Sequence, residues 1–154
     1  MEILDILAPG NVLTSVRATS KKQALQELSK HASQVTGLHD RTIFDVLLER
    51  ERLGTTGVGR GIAIPHGKLS ELDRLHGIFT VLEQPIEFDS VDDQPVDLIF
   101  LLLAPESAGA DHLKALARVS RLLRDSNFCD RLRATATPGE LFETLTRGTA
   151  PHEV

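Results

Sequence analysis

The spacing of apolar positions changes several times along the chain, and each change marks an element. A Val- and Thr-containing stretch from Asn11 to Ala18 predicts a first strand. Ser20 and Gln23 then fit a capping box, whose two side chains satisfy otherwise orphaned backbone N–H groups. Leu25, Leu28, Ala32 and Val35 follow at helical spacing, and Gly37 stops that helix. Asp40 opens a second helix with Ile43, Phe44, Leu47 and Leu48 on its apolar face, ending near Leu53-Gly54. Four glycines in eight residues, Gly54 to Gly61, interrupt the pattern and predict a flexible loop. A short apolar strand, Ile62-Ala63-Ile64-Pro65, carries His66 at its end, and Gly77 to Glu83 predicts another strand. Val96 to Ala104 is almost continuously apolar, as a strand covered on both faces should be. Asp111 is placed to cap a helix running to about Arg124, with Leu113, Leu116, Ala117 and Leu123 as its core stripe. Two closing helices follow, near Asn127–Arg133 and Pro138–Arg147; the second has Thr137 as cap, Pro138 at its first position, Glu140 completing a capping box and Gly148 as stop. Strands and helices alternate early and cluster later, which favours a mixed sheet sandwiched between helices.

Composition narrows the class. The chain has 154 residues and shows no repeat, low-complexity block or linker, so it reads as one domain. A net charge of −5 argues against a basic nucleic-acid binder, and the lack of Trp and Tyr leaves few surfaces on which bases could stack. One cysteine excludes an internal disulfide framework and a cysteine-rich zinc site. Glu2 and Asp5 sit where a secretory leader needs basic residues, and the longest apolar run, Leu98 to Ala104, is far short of the ~20 residues of a membrane helix. A soluble, cytoplasmic protein is expected.

The chemistry concentrates after the second helix. Ile62 and Ile64 share one face of their strand and deliver His66 to the same side; Pro65 stiffens the backbone and Gly67 leaves room beside the ring. A rigid, accessible imidazole suits a nucleophile or a metal ligand, although a lone histidine at a strand end more often only turns its polar ring to water. His112, in the first turn of its helix, lies where the dipole disfavours imidazolium and welcomes an anion; the bland alternative is a surface histidine. His66, His76 and His112 lack the i, i+4 spacing of a zincin helix, which speaks against a metal site. The glycine run is neither a phosphate-binding Walker loop nor a dinucleotide fingerprint, since no Gly-Lys-Ser or Gly-Lys-Thr closes it and no helix begins there. Arg50-Glu51-Arg52 reads as a solvated helix end, and Cys129 as a small core residue beside Phe128.

The segment from Leu48 to Gly57, continuing through Gly61-Ile62-Ala63-Ile64-Pro65-His66-Gly67-Lys68, closely resembles the enzyme IIA domains of the bacterial phosphotransferase system, and within them the nitrogen-regulatory branch. The resemblance extends through Gln94–Leu98 and Asp111-His112-Leu113 and covers nearly the whole chain. It implies a single α/β domain over residues 1–154, with a core of about 5–148. The sheet it implies is mixed, mostly parallel and about five-stranded, flanked by helices on both faces. It implies that His66 takes a phosphoryl group on its tele nitrogen, that Arg50 contacts that group and that His112 stands beside it, with Gly57, Gly59, Gly67 and Lys68 as further binding residues. It implies an HPr-like phosphocarrier (the NPr type) as donor and regulatory targets such as sensor kinases or potassium transport systems. No cofactor, metal, nucleic acid or membrane span is expected. The sequence runs to Val154 without a cysteine-bearing IIB domain, which favours regulation over sugar transport. The rival readings are a binding module that never carries phosphate, a sugar-type component serving a separate IIB, and a metal-dependent hydrolase using His66, His76 and His112.

Overall fold

Strand β6 (Val96–Pro105) organises the molecule. The structure, a computed structural model, describes residues 2–147; the stop assigned to Gly148 lies outside them. Every side chain of β6 is buried except the half-buried Asp97, as its unbroken apolar sequence requires of a central strand. β5 (His76–Ile86) pairs with it antiparallel on one side, and β1 (Val12–Val16) pairs parallel with β5. On the other side β3 (Ile62–Ala63) and β4 (His66–Leu69) lie one after the other along β6, both parallel to it. β2 (Gly57–Gly59) pairs antiparallel with β3 and ends the sheet.

The sheet therefore has six strands among the described residues, one more than the five the resemblance implied and two more than the four the apolar pattern predicts. The extra strands come from the glycine run, which forms β2 rather than a loop, and from a break at Ile64-Pro65. His66 consequently opens a strand instead of ending one. The break satisfies its own backbone: the Ile64 N–H donates to the Thr56 carbonyl at 3.0 Å, and the Leu102 N–H donates to the Pro65 carbonyl at 2.9 Å. Proline, having no N–H to place, fits this jog.

Five helices cover the two faces. α1 (Lys21–Thr36) and α2 (Asp40–Leu53) pack on the face bearing Ile99, Leu101 and Leu103. α3 (Ala110–Leu122), α4 (Ser126–Ala134) and α5 (Pro138–Arg147) pack on the face bearing Leu98, Phe100 and Leu102. The Ser20 hydroxyl caps α1 by accepting from the Gln23 N–H at 3.1 Å, but the Gln23 side chain reaches the Thr19 N–H rather than that of Ser20. Gly37 ends the helix in a left-handed conformation. Thr137 accepts from the Glu140 N–H at 3.2 Å, as expected of the cap of α5.

α3 departs from expectation twice. Gly109, not Asp111, stands at its cap and offers no side chain; Asp111 is an exposed residue of the first turn. Its buried face is His112, Ala115, Val119 and Leu122, whereas Leu113 and Ala117 face outward. The apolar count misplaced the stripe because a polar histidine occupies one of its positions.

At Gly67 β4 and α2 touch without room for a side chain: a Cβ there would stand 2.6 Å from Cγ1 of Val46. Val46 lies on a helix, where a β-branched side chain has essentially one rotamer, so the helix itself must give. Gly67→Ala is expected to lower stability by about 1–3 kcal/mol, the usual cost of overpacking, read from urea unfolding. An unchanged midpoint would show that the two elements separate without cost.

Candidate active site

α2 ends beside the start of β4, and that proximity builds the site. Arg50, in the last turn of α2, points its Nε–H at Nε2 of His66, 3.3 Å away, while its Nη1 donates to the Gly54 carbonyl at 2.8 Å. One guanidinium thus closes the C-terminal end of its own helix, where a cation suits the dipole, and is held against the histidine.

His66 is fixed through its other nitrogen. Nδ1 lies 3.0 Å from the Ile64 carbonyl oxygen. A carbonyl only accepts, so Nδ1 carries the proton, and in the neutral ring Nε2 keeps its lone pair. Burial of the half-covered ring is the largest influence on its protonation and lowers its pKa below 6.5. The bond to Ile64 opposes this, the Arg50 charge adds to it, and the Glu51 charge opposes it. The balance is a neutral imidazole with its nucleophilic nitrogen outward.

His112 enters from α3 on the opposite side, its ring centroid 5.6 Å from that of His66. Its residue is buried and its Nδ1 has no hydrogen-bond partner. Burial chiefly, then His66 and Lys68, lowers its pKa as well. A neutral ring lining the cavity at the first turn of a helix is suited to an anionic group held between the two rings.

A cavity of about 570 Å³ opens over these groups, lined by Asp45, Val46, Glu49, Arg50, Leu53, His66, Gly67, Lys68 and His112. Leu53 is 82% exposed at its rim, and Leu113, next to His112, is 67% exposed. Five of the lining residues form one face of α2. Of these only Arg50 was singled out from sequence; extending the helical face backward from it, in steps of one, four and five, would have found Glu49, Val46 and Asp45.

The structure thus brings His66, His112, Arg50, Gly67 and Lys68 together and leaves Gly57 and Gly59 elsewhere. Gly57 packs against Ser90, and Gly59, with φ of 103°, turns the β2–β3 hairpin against Asp92. Nor does the glycine run present a set of free amides. The N–H groups of Gly54, Thr56, Gly57 and Arg60 donate to the Glu51 carbonyl, the Glu51 carboxylate, the Thr55 hydroxyl and Asp92 respectively. Glu51 itself is buried, not solvated as its charged neighbours suggested. His76 lies on β5, outside this cavity, and no three His, Cys, Asp or Glu side chains form a metal-binding group among the described residues.

Comparison with known proteins gives the family and the fold. The sequence model described as "Phosphoenolpyruvate-dependent sugar phosphotransferase system, EIIA 2" matches residues 5–148. The chain is 55% identical over 145 residues to a nitrogen regulatory protein of Bradyrhizobium diazoefficiens, covering 94% of this chain and 95% of that one. It is 46% identical over 148 residues to the nitrogen regulatory protein of Escherichia coli strain K12, covering 95% and 90%. Among solved structures, nitrogen regulatory protein IIA-Ntr from Neisseria meningitidis superposes with a TM-score of 0.89 at 32% identity, covering 94% of this chain and 99% of that one. With His66, Arg50 and His112 gathered at one cavity of a mixed α/β fold, the chain belongs to the EIIA type 2 family of the phosphotransferase system, a family of phosphotransfer components.

Proposed function

We propose that this protein receives a phosphoryl group on Nε2 of His66 from the phosphohistidine of an HPr-like carrier of the NPr type, and that its phosphorylation state regulates target proteins. One observation carries the reading: the Nδ1–H of His66 is committed to the Ile64 carbonyl, so Nε2 is the nitrogen with a lone pair, at a cavity lined by Arg50 and His112; that lone pair accepts the Arg50 Nε–H here and is freed when Arg50 turns to the phosphoryl oxygens. That lone pair attacks the donor's phosphorus in line. A nitrogen–phosphorus bond forms at Nε2 as the donor's nitrogen–phosphorus bond breaks, and the donor's imidazole keeps the electron pair. Because similar bonds are exchanged, the step runs in both directions. Charge on the three equatorial oxygens is met by Arg50, by His112 once its ring offers a proton, and by Lys68, so that positioning and electrostatics supply the catalysis. The exposed Leu53 and Leu113 suit a rim that seals against a carrier and excludes water.

Regulation as the output is supported by the relatives, which are named nitrogen regulatory proteins. Phosphorylation adds a compact anion at one surface, sufficient to make or break contact with a target; sensor kinases and potassium transport systems are the target classes we propose. The cytoplasm is the compartment this reading requires, and no helix among the described residues is long and apolar enough to cross a membrane. A second reading, transfer onward to a separate IIB, draws on the 38% identity to a fructose-specific EIIA component of Haloferax volcanii.

Intact-mass measurement after incubation with phosphorylated carrier tests the proposal. One phosphoryl gain, lost in acid, supports it; no gain by folded protein leaves a pure binding module; stoichiometric zinc in the purified protein returns the hydrolase. The ring's pH behaviour gives a further expected outcome. Neutral imidazole is the attacking form, and a pKa lowered by burial keeps that form dominant at and above pH 6.5 and for some distance below it. NMR titration of the His66 ring is therefore expected to show a midpoint under 6.5; a higher one would mean the ring is not desolvated as described.

A further inference from the structure

Glu51 has no role in the mechanism above, yet it is one of the few charged side chains buried in the molecule. Its carboxylate receives the Thr56 N–H, at 3.2 and 3.1 Å to its two oxygens, and the Thr56 hydroxyl. Nζ of Lys21, at the start of α1, stands 2.9 Å from the carboxylate, with both side chains largely covered. The same ammonium lies over the Phe88 ring, 4.9 Å from its centroid, and 3.8 Å from Asp89. The contacts then continue toward the site. The Thr56 carbonyl accepts from the Ile64 N–H at 3.0 Å, and the Ile64 carbonyl accepts from Nδ1 of His66 at 3.0 Å. Two residues, each bonded through both its own N–H and its own carbonyl, therefore connect a buried carboxylate to the imidazole.

We propose that Glu51 is the positioning residue of this site. Its carboxylate, held by Lys21 and acting through Thr56 and Ile64, fixes the Ile64 carbonyl under the ring and so decides which nitrogen of His66 carries the proton. The proposal deepens the phosphotransfer reading and rests on it for its consequence, though not for its structural content.

The physical case has two parts. The carboxylate is fully engaged by three donors and cannot turn away without leaving a buried charge unpaired, a costly state. And the last two links span the break at Ile64-Pro65, where no strand pairing holds the Ile64 N–H; the Thr56 carbonyl replaces that pairing. The other charged and titratable groups facing His66 are Arg50 on the same helix, Lys68 on β4, His112 on α3, and Asp45 and Glu49 in the cavity wall. None of these reaches Nδ1.

Glu51→Gln tests it in the full chain. A glutamine amide brings two N–H donors to a position already facing three donors, so the arrangement cannot be kept. With the fold intact by circular dichroism, long-range proton–nitrogen NMR of the histidine rings is expected to show His66 moving from a single Nδ1–H form to a mixture of tautomers. Its titration midpoint should fall further, since a neighbouring negative charge is gone. Transfer from phosphorylated carrier should slow about tenfold, the lower end of what outer partners of a site histidine contribute, and Glu51→Asp should restore part of it. If Glu51→Gln does not fold, Thr56→Val removes the hydroxyl arm alone and should move the ring in the same direction by less. An unaltered tautomer and midpoint in the folded variant overturns the proposal. Failure of the wild-type protein to accept phosphate would instead overturn the function reading, while the ring spectra still decide the role of Glu51.

Discussion

His66→Ala is expected to gain no phosphoryl group from a charged HPr-like carrier under conditions in which the unaltered protein gains one. The expectation rests on how little any other described histidine resembles it. His31 places Nε2 3.1 Å from the Gly10 carbonyl, and the Nδ1 of His39 accepts from the Arg41 N–H at the start of α2. His76 is buried on β5, and the Nδ1 of His112 is sealed from solvent. Only His66 combines a proton anchored inward, a lone pair outward and a guanidinium beside it. The substitution should cost little stability, since it removes a half-buried ring and two polar contacts worth about 1 kcal/mol each. Loss of labelling in a folded protein is then loss of the acceptor. An acid-labile gain of one phosphoryl group in His66→Ala, measured by intact mass, would move the acceptor to another residue and undo the mechanism.

Arg50→Ala should slow transfer about 100-fold, the scale of removing one preorganised donor from a developing oxyanion. Two effects need separating. The guanidinium donates to Nε2 here and is within reach of phosphoryl oxygens bound there, and its charge also lowers the pKa of His66. Without Arg50 the ring becomes more basic, so within the ring's titration range part of the loss would be protonated histidine. Rapid-quench measurement at pH 8, where both proteins carry a neutral ring, isolates the transition-state contribution. Arg50→Lys should fall between the two. An ammonium is one point charge and cannot both donate to the Gly54 carbonyl and face His66, as the planar fork does. If Arg50→Ala transfers at the normal rate at pH 8, the arginine serves only to close its helix, and the charge must be met by His112 and Lys68.

The site was legible in part because some of its determinants are local. Gly67 beside His66, Pro65 before it and the helix end carrying Arg50 are neighbours in sequence, and short-range sterics gives each a meaning. Glu51 was not legible. Between two arginines at a helix end it has the composition of a solvated face, and only the arrival of Lys21 from another helix and of the Thr56 peptide makes burial affordable for its charge. The glycine run failed for the opposite reason: its composition signals flexibility, whereas pairing with β3 and bonds from its own amides make it a strand and a fixed turn.

What the chain's own order of residues determined is the set of elements and the chemical inventory: helices from apolar spacing and caps, a buried central strand from β6, one histidine set between proline and glycine. These follow from hydrogen bonds and sterics that reach only a few residues. The tertiary structure alone decided the break that makes His66 the first residue of a strand, the turning of α3 that buries His112 and exposes Leu113, and the contact of Arg50 with a ring 16 residues away. Those outcomes depend on which surfaces exclude water from one another, and exclusion is a property of the packed sheet and helices together rather than of any segment within them.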